Sequence, residues 1–275
     1  MTMKKFPSKP PRPTDGKVPA PKKSPPVSHK DQPSGGEQED MRLNKYLALS
    51  GVGSRRKCAE YIQEGLVKVN GAVVTDIGHR VQKSDQVHYK GQPVKPVTRM
   101  VYYLMNKPKD TITTASDEKG RKTVMDLIKN KVKERVYPVG RLDRNTTGLL
   151  ILTNDGDLAL KLSHPRHRVK KIYHVVLDRT LRKPDLEKIL AGVQLEDGLA
   201  EVDGIDYVEN QPKNEVGITI HIGKNRIVRR IFESLGYQVE RLDRVYYAGL
   251  TKKDLPRGFV RPLTKQEVIM LKHFT

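Results

Sequence analysis

The sequence has little cysteine and few aromatic residues: one cysteine, no tryptophan and four phenylalanines in 275 residues. The single Cys58 excludes a disulfide within the chain, and no cysteine or histidine set has the spacing of metal ligands, so we predict no metal site. Reduced cysteine is typical of the cytoplasm, where we expect the protein. No apolar run approaches the roughly 18 residues that span a bilayer, and the N-terminus lacks a signal-peptide core, so no membrane partner is expected.

Acidic side chains are also in short supply. There are 52 Lys and Arg against 32 Asp and Glu, giving a formal net charge of +20. A surplus of this size attracts polyanions, of which nucleic acid is the commonest. A basic surface that merely keeps the protein soluble is the alternative. The length and the 36% hydrophobic content provide for one medium-sized domain and a smaller one.

Residues 1–40 differ in composition from the rest of the chain. They hold half of the 18 prolines and one aromatic residue, Phe6. A segment of this kind buries too little apolar surface to offset the entropy lost on ordering. We therefore predict a disordered basic tail, to which we assign no chemistry.

Two short helices and a hairpin are predicted from Met41 onward. A first helix ends at Gly51, and Ser54 caps a second that ends at Gly65. The first turn of the second helix is Arg55-Arg56-Lys57, and three cations there oppose the helix dipole. A bound polyanion would remove that cost. An Asn-Gly turn after Val69 then predicts a hairpin.

This segment, through RLNKYLALSGVGSRRKCAEYIQEGLVKVNG, resembles the small αL-type RNA-binding domain named after a small-subunit ribosomal protein. The resemblance covers residues 41–89, and we expect this domain and its linker to occupy 41–98. It implies recognition of structured RNA by shape and phosphate. Its likeliest RNA contacts are Arg55, Arg56 and Lys57; without the resemblance they would be a solvated helix end.

The rest of the chain is organised around VYPVGRLDRNTTGLLILTNDGD, residues 136–157. Two apolar runs predict strands, joined by a polar loop between Gly140 and Gly148. The loop carries Asp143 between Arg141 and Arg144. Nearby positive charge keeps a carboxylate ionised, so Asp143 is available as a nucleophile or an electrostatic anchor.

Further elements follow from periodicity. We predict a strand over 100–105 broken by Asn106-Lys107-Pro108, a short helix over 124–128, a helix capped by Asp157, and strands over 172–177 and 216–222. His164 to Lys171 is a strongly basic loop suited to phosphate. A later helix places Arg226, Arg229, Arg230 and Glu233 on one face, which is most simply a solvated charge stripe.

Three separated motifs together resemble the RsuA-type family of ribosomal RNA pseudouridine synthases. They are GRLDRNTTGLLILTNDGDL, KKIYHV and GKNRIVRRIFESLGYQVERL. The resemblance runs from about Val101 to Leu263 and is closest to members that act on large-subunit RNA. It implies an α+β protein whose catalytic domain, residues 99–275, has a mostly antiparallel mixed sheet. Where the family usually has a glycine after Asn-Lys-Pro, this chain has Asp110.

The resemblance also implies the chemistry. The family's catalytic aspartate falls on Asp143, its active-site tyrosine on Tyr173 and its basic partner residue on Arg229. Val228 matches an apolar wall under a flipped base, and Arg141 and Arg144 are expected to meet phosphate or splay the strand. Isomerisation involves no net redox change or hydrolysis, so no metal, nucleotide or redox cofactor is required.

Alternatives remain at this point. The chain could be a non-catalytic RNA-binding or ribosome-assembly protein, or could act on 16S ribosomal RNA or transfer RNA. The substrate could be free ribosomal RNA or a pre-ribosomal particle, and a monomer is the default. A zinc deaminase and a phosphate-loop enzyme lack their signatures. Arg-Leu-Asp-Arg recurs at 241–244 within a predicted strand, so the tetrapeptide alone does not identify the catalytic carboxylate.

Overall fold

The computed structural model describes residues 40–273. The predicted tail, apart from Asp40, lies outside the described residues, so that prediction stays untested. The described chain holds a small N-terminal helix-and-hairpin part and a larger part built on one long sheet.

The N-terminal part surrounds its own apolar core. Leu43 and Leu47 of the first helix pack with Cys58 and Ile62 of the second, and all four are fully buried. The buried cysteine is therefore a core residue, as its apolar helical face predicts. The elements are β1 (Met41–Arg42), α1 (Leu43–Leu49), α2 (Arg55–Gln63), β2 (Val67–Val69), β3 (Ala72–Val73), β4 (Arg80–Val81), β5 (Val87–Tyr89) and β6 (Gln92–Pro93).

The local signals in this part are confirmed. The Ser54 hydroxyl accepts a hydrogen bond from the Lys57 amide at 3.2 Å, which caps α2. Asn70 and Gly71 both have positive φ, as the hairpin turn requires. The linker prediction needs one correction: Gln92 and Pro93 form β6, which pairs with β5 because the hairpin after Tyr89 turns back onto the sheet.

The larger part is a nine-stranded sheet in the spatial order β13-β14-β10-β15-β9-β7-β17, with β16 beside β15 and β8 beside β9. All pairs are antiparallel except β15 with β9. The α+β fold with a mostly antiparallel mixed sheet is thus confirmed. Its strands are β7 (Tyr102–Lys107), β8 (Tyr137–Pro138), β9 (Thr147–Thr153), β10 (Lys171–Leu177), β13 (Gly204–Tyr207), β14 (Glu215–Ile220), β15 (Val239–Tyr247), β16 (Leu250–Thr251) and β17 (Val260–Pro262), and β11 (Val193–Leu195) and β12 (Gly198–Ala200) form a separate hairpin.

Four helices accompany these strands: α3 (Gly156–Ser163), α4 (Lys183–Ala191), α5 (Ile227–Glu233) and α6 (Lys265–Lys272). A capping box of Thr264 and Glu267 is present at the start of α6. No described helix is long and apolar enough to cross a membrane.

Three local predictions are wrong. Residues 124–128 form hydrogen-bonded turns instead of a helix, because Ile128 bonds back only three residues to Met125. Asp155, not Asp157, caps α3, since its carboxylate accepts from the Leu158 amide at 3.0 Å. The strand predicted to end before Asn106 continues through Lys107, where β9 supplies its ladder partner.

The parallel contact between β9 and β15 fixes the position of the loop before β9. Asp243 is opposite Thr147, and Arg244 is opposite Gly148. A Cβ on Gly148 would collide with the backbone of Arg244, and its φ is +108°. Only glycine permits this approach of the two strands. The first Arg-Leu-Asp-Arg sequence thereby comes to lie beside the second.

Candidate active site

A cleft of about 150 Å³ opens beside β10, β15 and the loop that precedes β9. Asp143 is the only carboxylate among its lining residues, which otherwise include several cations and an apolar floor. The lining side chains used below are Asp143, Thr146, Lys171, Tyr173, Val228, Leu242, Arg244 and Tyr247.

Asp143 sits half-exposed in the loop between β8 and β9. Neither flanking arginine pairs with it: Arg144 pairs with Asp110 at 3.3 Å, and Arg141 forms no ion pair in residues 40–273. Asp143 itself has no ion-pair partner within that range. Its carboxylate therefore faces the cleft uncommitted, as the chemistry of a nucleophile or base requires.

Lys107 holds the backbone of this loop, and the sequence-based reasoning missed it. The side chain is fully buried, and its Nζ donates to the carbonyls of Asp143 (3.0 Å), Arg144 (3.3 Å), Thr146 (2.8 Å) and Pro108 (3.1 Å). Burial lowers its pKa to about 8, although the nearby Asp143 charge opposes the shift. One cation thus fixes three carbonyls of the Asp143 loop.

Tyr173 and Val228 line the same cleft as Asp143. Tyr173 extends from β10 and is 8% exposed, and Val228 extends from α5 and is 2% exposed. Alternation along β10 puts Tyr173 on the face opposite Ile172. An aromatic ring and an apolar wall flanking a cleft form a surface suited to a planar base.

Arg229 differs from the solvated stripe expected on its helix. It is buried on the inner side of α5, whereas Arg226 on the same helix is exposed and pairs with Glu233 at 3.1 Å. The Arg229 guanidinium donates to the Val239 carbonyl at 2.8 Å, not to Asp143, and its Nε has no partner in the described residues. Burial lowers the pKa of Arg229, and the neighbouring charge of Asp143 opposes this shift without reversing it. The direct pairing with Asp143 stays a prediction.

Arg244 and Lys171 line the cleft as well, and the sequence-based reasoning missed both. Arg244 is 3% exposed, opposite Tyr173 in the sheet, and Lys171 is two residues before Tyr173 on the same strand. The signal was present in the period-2 pattern: Arg244 shares a strand face with buried Leu242, and Lys171 shares one with Tyr173. A charged residue on an inward strand face marks a site or a buried pair.

The departure at Asp110 is accommodated locally. Its φ is +59°, a conformation that glycine adopts freely and aspartate tolerates. The Asp110 amide donates to the Arg144 carbonyl at 3.0 Å, so the turn still contacts the Asp143 loop.

Asp243, in the second Arg-Leu-Asp-Arg, has a different environment. It accepts hydrogen bonds from Thr147 (2.8 Å), Arg257 (2.9 Å) and Lys252. Burial raises its pKa, but those bonds outweigh burial and bring the pKa to about 2. Asp243 does not line the cleft. Its charge is neutralised within the protein and supports the β9–β15 contact.

Comparison with known proteins identifies the family of the chain. Residues 101–234 match the family profile described as RNA pseudouridylate synthase, and residues 41–87 match the S4 domain profile. The chain is 44% identical to "Ribosomal large subunit pseudouridine synthase B" of Bacillus subtilis over 84% of its own length and 95% of that protein. The chain belongs to the RNA pseudouridine synthase family. The predicted family and enzyme class are confirmed.

Two further comparisons show how far the family likeness extends. An "Uncharacterized RNA pseudouridine synthase" of Aquifex aeolicus is 42% identical over 84% of this chain and 94% of that protein. The solved structure titled "Crystal structure of pseudouridylate synthase" aligns with a TM-score of 0.60 and 25% identity, covering 84% of this chain and 99% of that one. The likeness therefore includes both the S4 domain and the long sheet.

The S4 domain of this pseudouridine synthase exposes the predicted RNA contacts. Arg55, Arg56 and Lys57 are all exposed at the first turn of α2, where Lys57 pairs with Glu60 at 2.6 Å. Lys45 of the same domain pairs with Asp157 of α3 at 3.0 Å.

Within residues 40–273 no cluster of metal-ligating side chains occurs.

Proposed function

We propose that this enzyme converts a specific uridine of large-subunit ribosomal RNA to pseudouridine, with Asp143 as its catalytic carboxylate. The observation that carries the proposal is that Asp143 is the only carboxylate lining the cleft and has no ion-pair partner in the described chain. The similarity to the Bacillus subtilis large-subunit synthase supports the substrate class. The cytoplasm, where ribosomal RNA is assembled, is the compartment proposed with it.

The reaction breaks the glycosidic carbon–nitrogen bond, turns the base and joins the same sugar carbon to a ring carbon. That ring carbon then loses its proton, and the freed ring nitrogen gains one, so the product is an isomer of the substrate. Asp143 acts as a nucleophile on the sugar or base, or assists loss of the sugar proton. The flipped base leaves its stack at a cost of a few kcal/mol, recovered through cleft contacts. Tyr173 lies against the ring, Val228 forms the wall beneath it, and Arg229 stabilises the charge of Asp143.

The proposed RNA contacts divide between two domains, with the boundary between residues 98 and 99. Arg141 and Arg144 are exposed at the cleft edge and meet phosphates or splay the strand. Arg55, Arg56 and Lys57 of the S4 domain add phosphate contacts distant in sequence. The enzyme acts as a monomer on free ribosomal RNA or on a pre-ribosomal particle.

The test is pseudouridine mapping after the purified protein is incubated with unmodified transcripts of large-subunit ribosomal RNA, small-subunit ribosomal RNA and transfer RNA. The proposal predicts one modified uridine in the large-subunit transcript and none in the others. Pre-ribosomal particles from a strain lacking the gene provide a second substrate. Modification of the small-subunit RNA or transfer RNA alone would contradict the substrate class, and no modification of any substrate would favour a non-catalytic RNA-binding protein.

A further inference from the structure

Two cations, the buried Arg244 and the half-buried Lys171, line the cleft without a carboxylate ion-pair partner in the described residues. The Arg244 Nε donates to the Leu149 carbonyl at 2.7 Å, and its guanidinium stacks over the Tyr247 ring at 4.4 Å from the centroid. Among the described residues its buried Nη2 has no hydrogen-bond partner. In the same part of the chain, Lys171 donates only to the His221 carbonyl, at 2.8 Å.

Such an arrangement is costly for the free enzyme. A buried charge is stable when an opposite charge or enough acceptors surround it, and an unused buried donor loses its water without replacement. The carboxylate that acts on Lys171 is Asp203, which is already held by His221 at 2.7 Å and by Arg168 at 3.7 Å. Within residues 40–273, therefore, no carboxylate forms an ion pair with either cation.

We propose that Lys171 and Arg244 together bind a phosphate of the RNA backbone adjacent to the target nucleotide. The proposal rests on the proposed function, because it places that nucleotide in the Asp143 cleft. A phosphodiester is the anion that every RNA nucleotide carries, whereas the uracil ring offers only neutral oxygens. Phosphate oxygens accept hydrogen bonds from ammonium and guanidinium groups at once.

The position of the pair gives the phosphate a role. Arg244 is opposite Tyr173 in the sheet, and its Nη1 lies 3.5 Å from the Tyr173 hydroxyl. Asp143 lines the same cleft. A phosphate held by Lys171 and Arg244 would therefore anchor the flipped nucleotide by its backbone, with its base against Tyr173 and its sugar toward Asp143. Fixing the reacting atoms in this way is a major source of rate enhancement.

The experiment pairs protein variants with RNA variants. A synthetic fragment of the large-subunit RNA containing the modified uridine is made in three forms: all phosphodiester, with one neutral methylphosphonate 5′ of that uridine, and with one 3′ of it. The apparent Kd is measured from single-turnover pseudouridine formation for wild type, Lys171→Gln, Lys171→Arg and Arg244→Lys. Thermal unfolding of each variant checks that the fold is retained.

The proposal predicts that Lys171→Gln raises the Kd for the all-phosphodiester RNA about tenfold or more, the range for a hydrogen bond between charged groups. On one of the two methylphosphonate RNAs the same variant changes the Kd less than about twofold, because the neutral linkage has already removed the charge that Lys171 contacts. Arg244→Lys should likewise raise the Kd for the all-phosphodiester RNA and leave the Kd for that methylphosphonate RNA nearly unchanged. Lys171→Arg, which keeps the positive charge, should bind the all-phosphodiester RNA more tightly than Lys171→Gln does. Lys183→Gln, an exposed lysine at the start of α4, is the matched control and should change Kd less than about twofold on every RNA.

Equal weakening of all three RNAs by Lys171→Gln would overturn the phosphate assignment, as would a slower reaction with unchanged Kd. The first result would indicate contact with the base or sugar, and the second a structural role behind Tyr173. If wild type forms pseudouridine but the effect of Lys171→Gln is the same on every RNA, the proposed function stands and only the phosphate site is contradicted. Absence of pseudouridine with wild type would instead contradict the proposed function itself.

Discussion

The two Arg-Leu-Asp-Arg sequences of this chain lie side by side and do different things. In residues 141–144 the aspartate is in a loop, half-exposed and without an ion pair in the described chain; in 241–244 it is in a strand, bonded to Thr147, Lys252 and Arg257. A carboxylate whose charge its own protein neutralises is a poor group to offer a substrate. This contrast supports Asp143, and not Asp243, as the proposed catalytic carboxylate.

The last arginines of the two sequences also differ in their environment. Arg144 is exposed and pairs loosely with Asp110, whereas Arg244 is buried beside Tyr173. The parallel pairing of β9 with β15 sets Arg244 opposite Gly148, just after the Asp143 loop. The second sequence thus supports the first and contributes a cation to the same cleft.

The largest expected effect is that of Asp143→Asn. We predict a loss of turnover of at least about 1000-fold, because several kcal/mol of transition-state stabilisation depend on the carboxylate. Stability should change by less than about 0.5 kcal/mol, since the side chain has no partner in the folded protein. Tritium release from RNA labelled at uridine C5, together with urea unfolding, measures both. Appreciable turnover by this variant would contradict the site assignment.

Lys107→Met tests whether the loop must be held in place. The substitution removes the cation that three loop carbonyls share, so we predict a fall in kcat of about 10- to 100-fold with little change in KM, the cost of a misplaced catalytic group. Lys109→Met, at the exposed lysine two residues on, is the matched control and should retain wild-type kcat. Equal rates for wild type and both variants would show that the loop keeps its geometry without Lys107.

The basic end of α2 should affect binding and not chemistry. Arg55→Ala with Arg56→Ala is predicted to weaken RNA affinity about tenfold and to lower the salt slope by about 1 to 2, as expected for one or two lost phosphate contacts. Filter binding across a salt series measures the slope. Lys183→Ala with Lys188→Ala, two exposed lysines of α4, is the control pair. An unchanged slope in the α2 variant would remove the S4 domain from the RNA interface.

Asp243→Asn should have the smallest effect on turnover and a visible effect on stability. Rates per folded molecule should stay within about threefold of wild type, while the free energy of unfolding falls by about 2 kcal/mol through lost charge-assisted bonds. Because the folded pKa of about 2 lies below the ordinary aspartate value of 3.8, this stabilisation is present above pH 3.8 and is lost as the pH falls toward 2. The stability difference from wild type, measured by urea unfolding, should therefore shrink over that range. A difference that does not shrink would contradict the ion-pair account.

Sequence reasoning recovered what local patterns encode. The cap at Ser54, the Asn70-Gly71 turn and the Tyr173 face follow from backbone and period-2 rules, and the resemblance located Asp143 and Val228 in the cleft. The helix expected over 124–128 failed because its apolar residues, including Val124 and Ile128, are buried in turns that tertiary contacts stabilise.

The missed site residues depend on contacts between distant strands. Lys107 is the last residue of β7 and acts through the Asp143 carbonyl, 36 residues later in the chain. Arg244 acquires its place from the β9–β15 pairing. Nothing within either segment encodes that partner. The available signal was that both charged residues alternate with buried apolar residues along a strand. That pattern indicates a buried charge but does not identify the group that the charge contacts.

The measurement that tests the central claim most directly is pseudouridine mapping of ribosomal RNA from a strain lacking the gene, complemented with wild type, Asp143→Asn or Asp243→Asn. The account predicts that one large-subunit position loses its mark, that wild type and Asp243→Asn restore it, and that Asp143→Asn does not. Restoration by Asp143→Asn but not by a stably folded Asp243→Asn would assign catalysis to Asp243 and contradict the account.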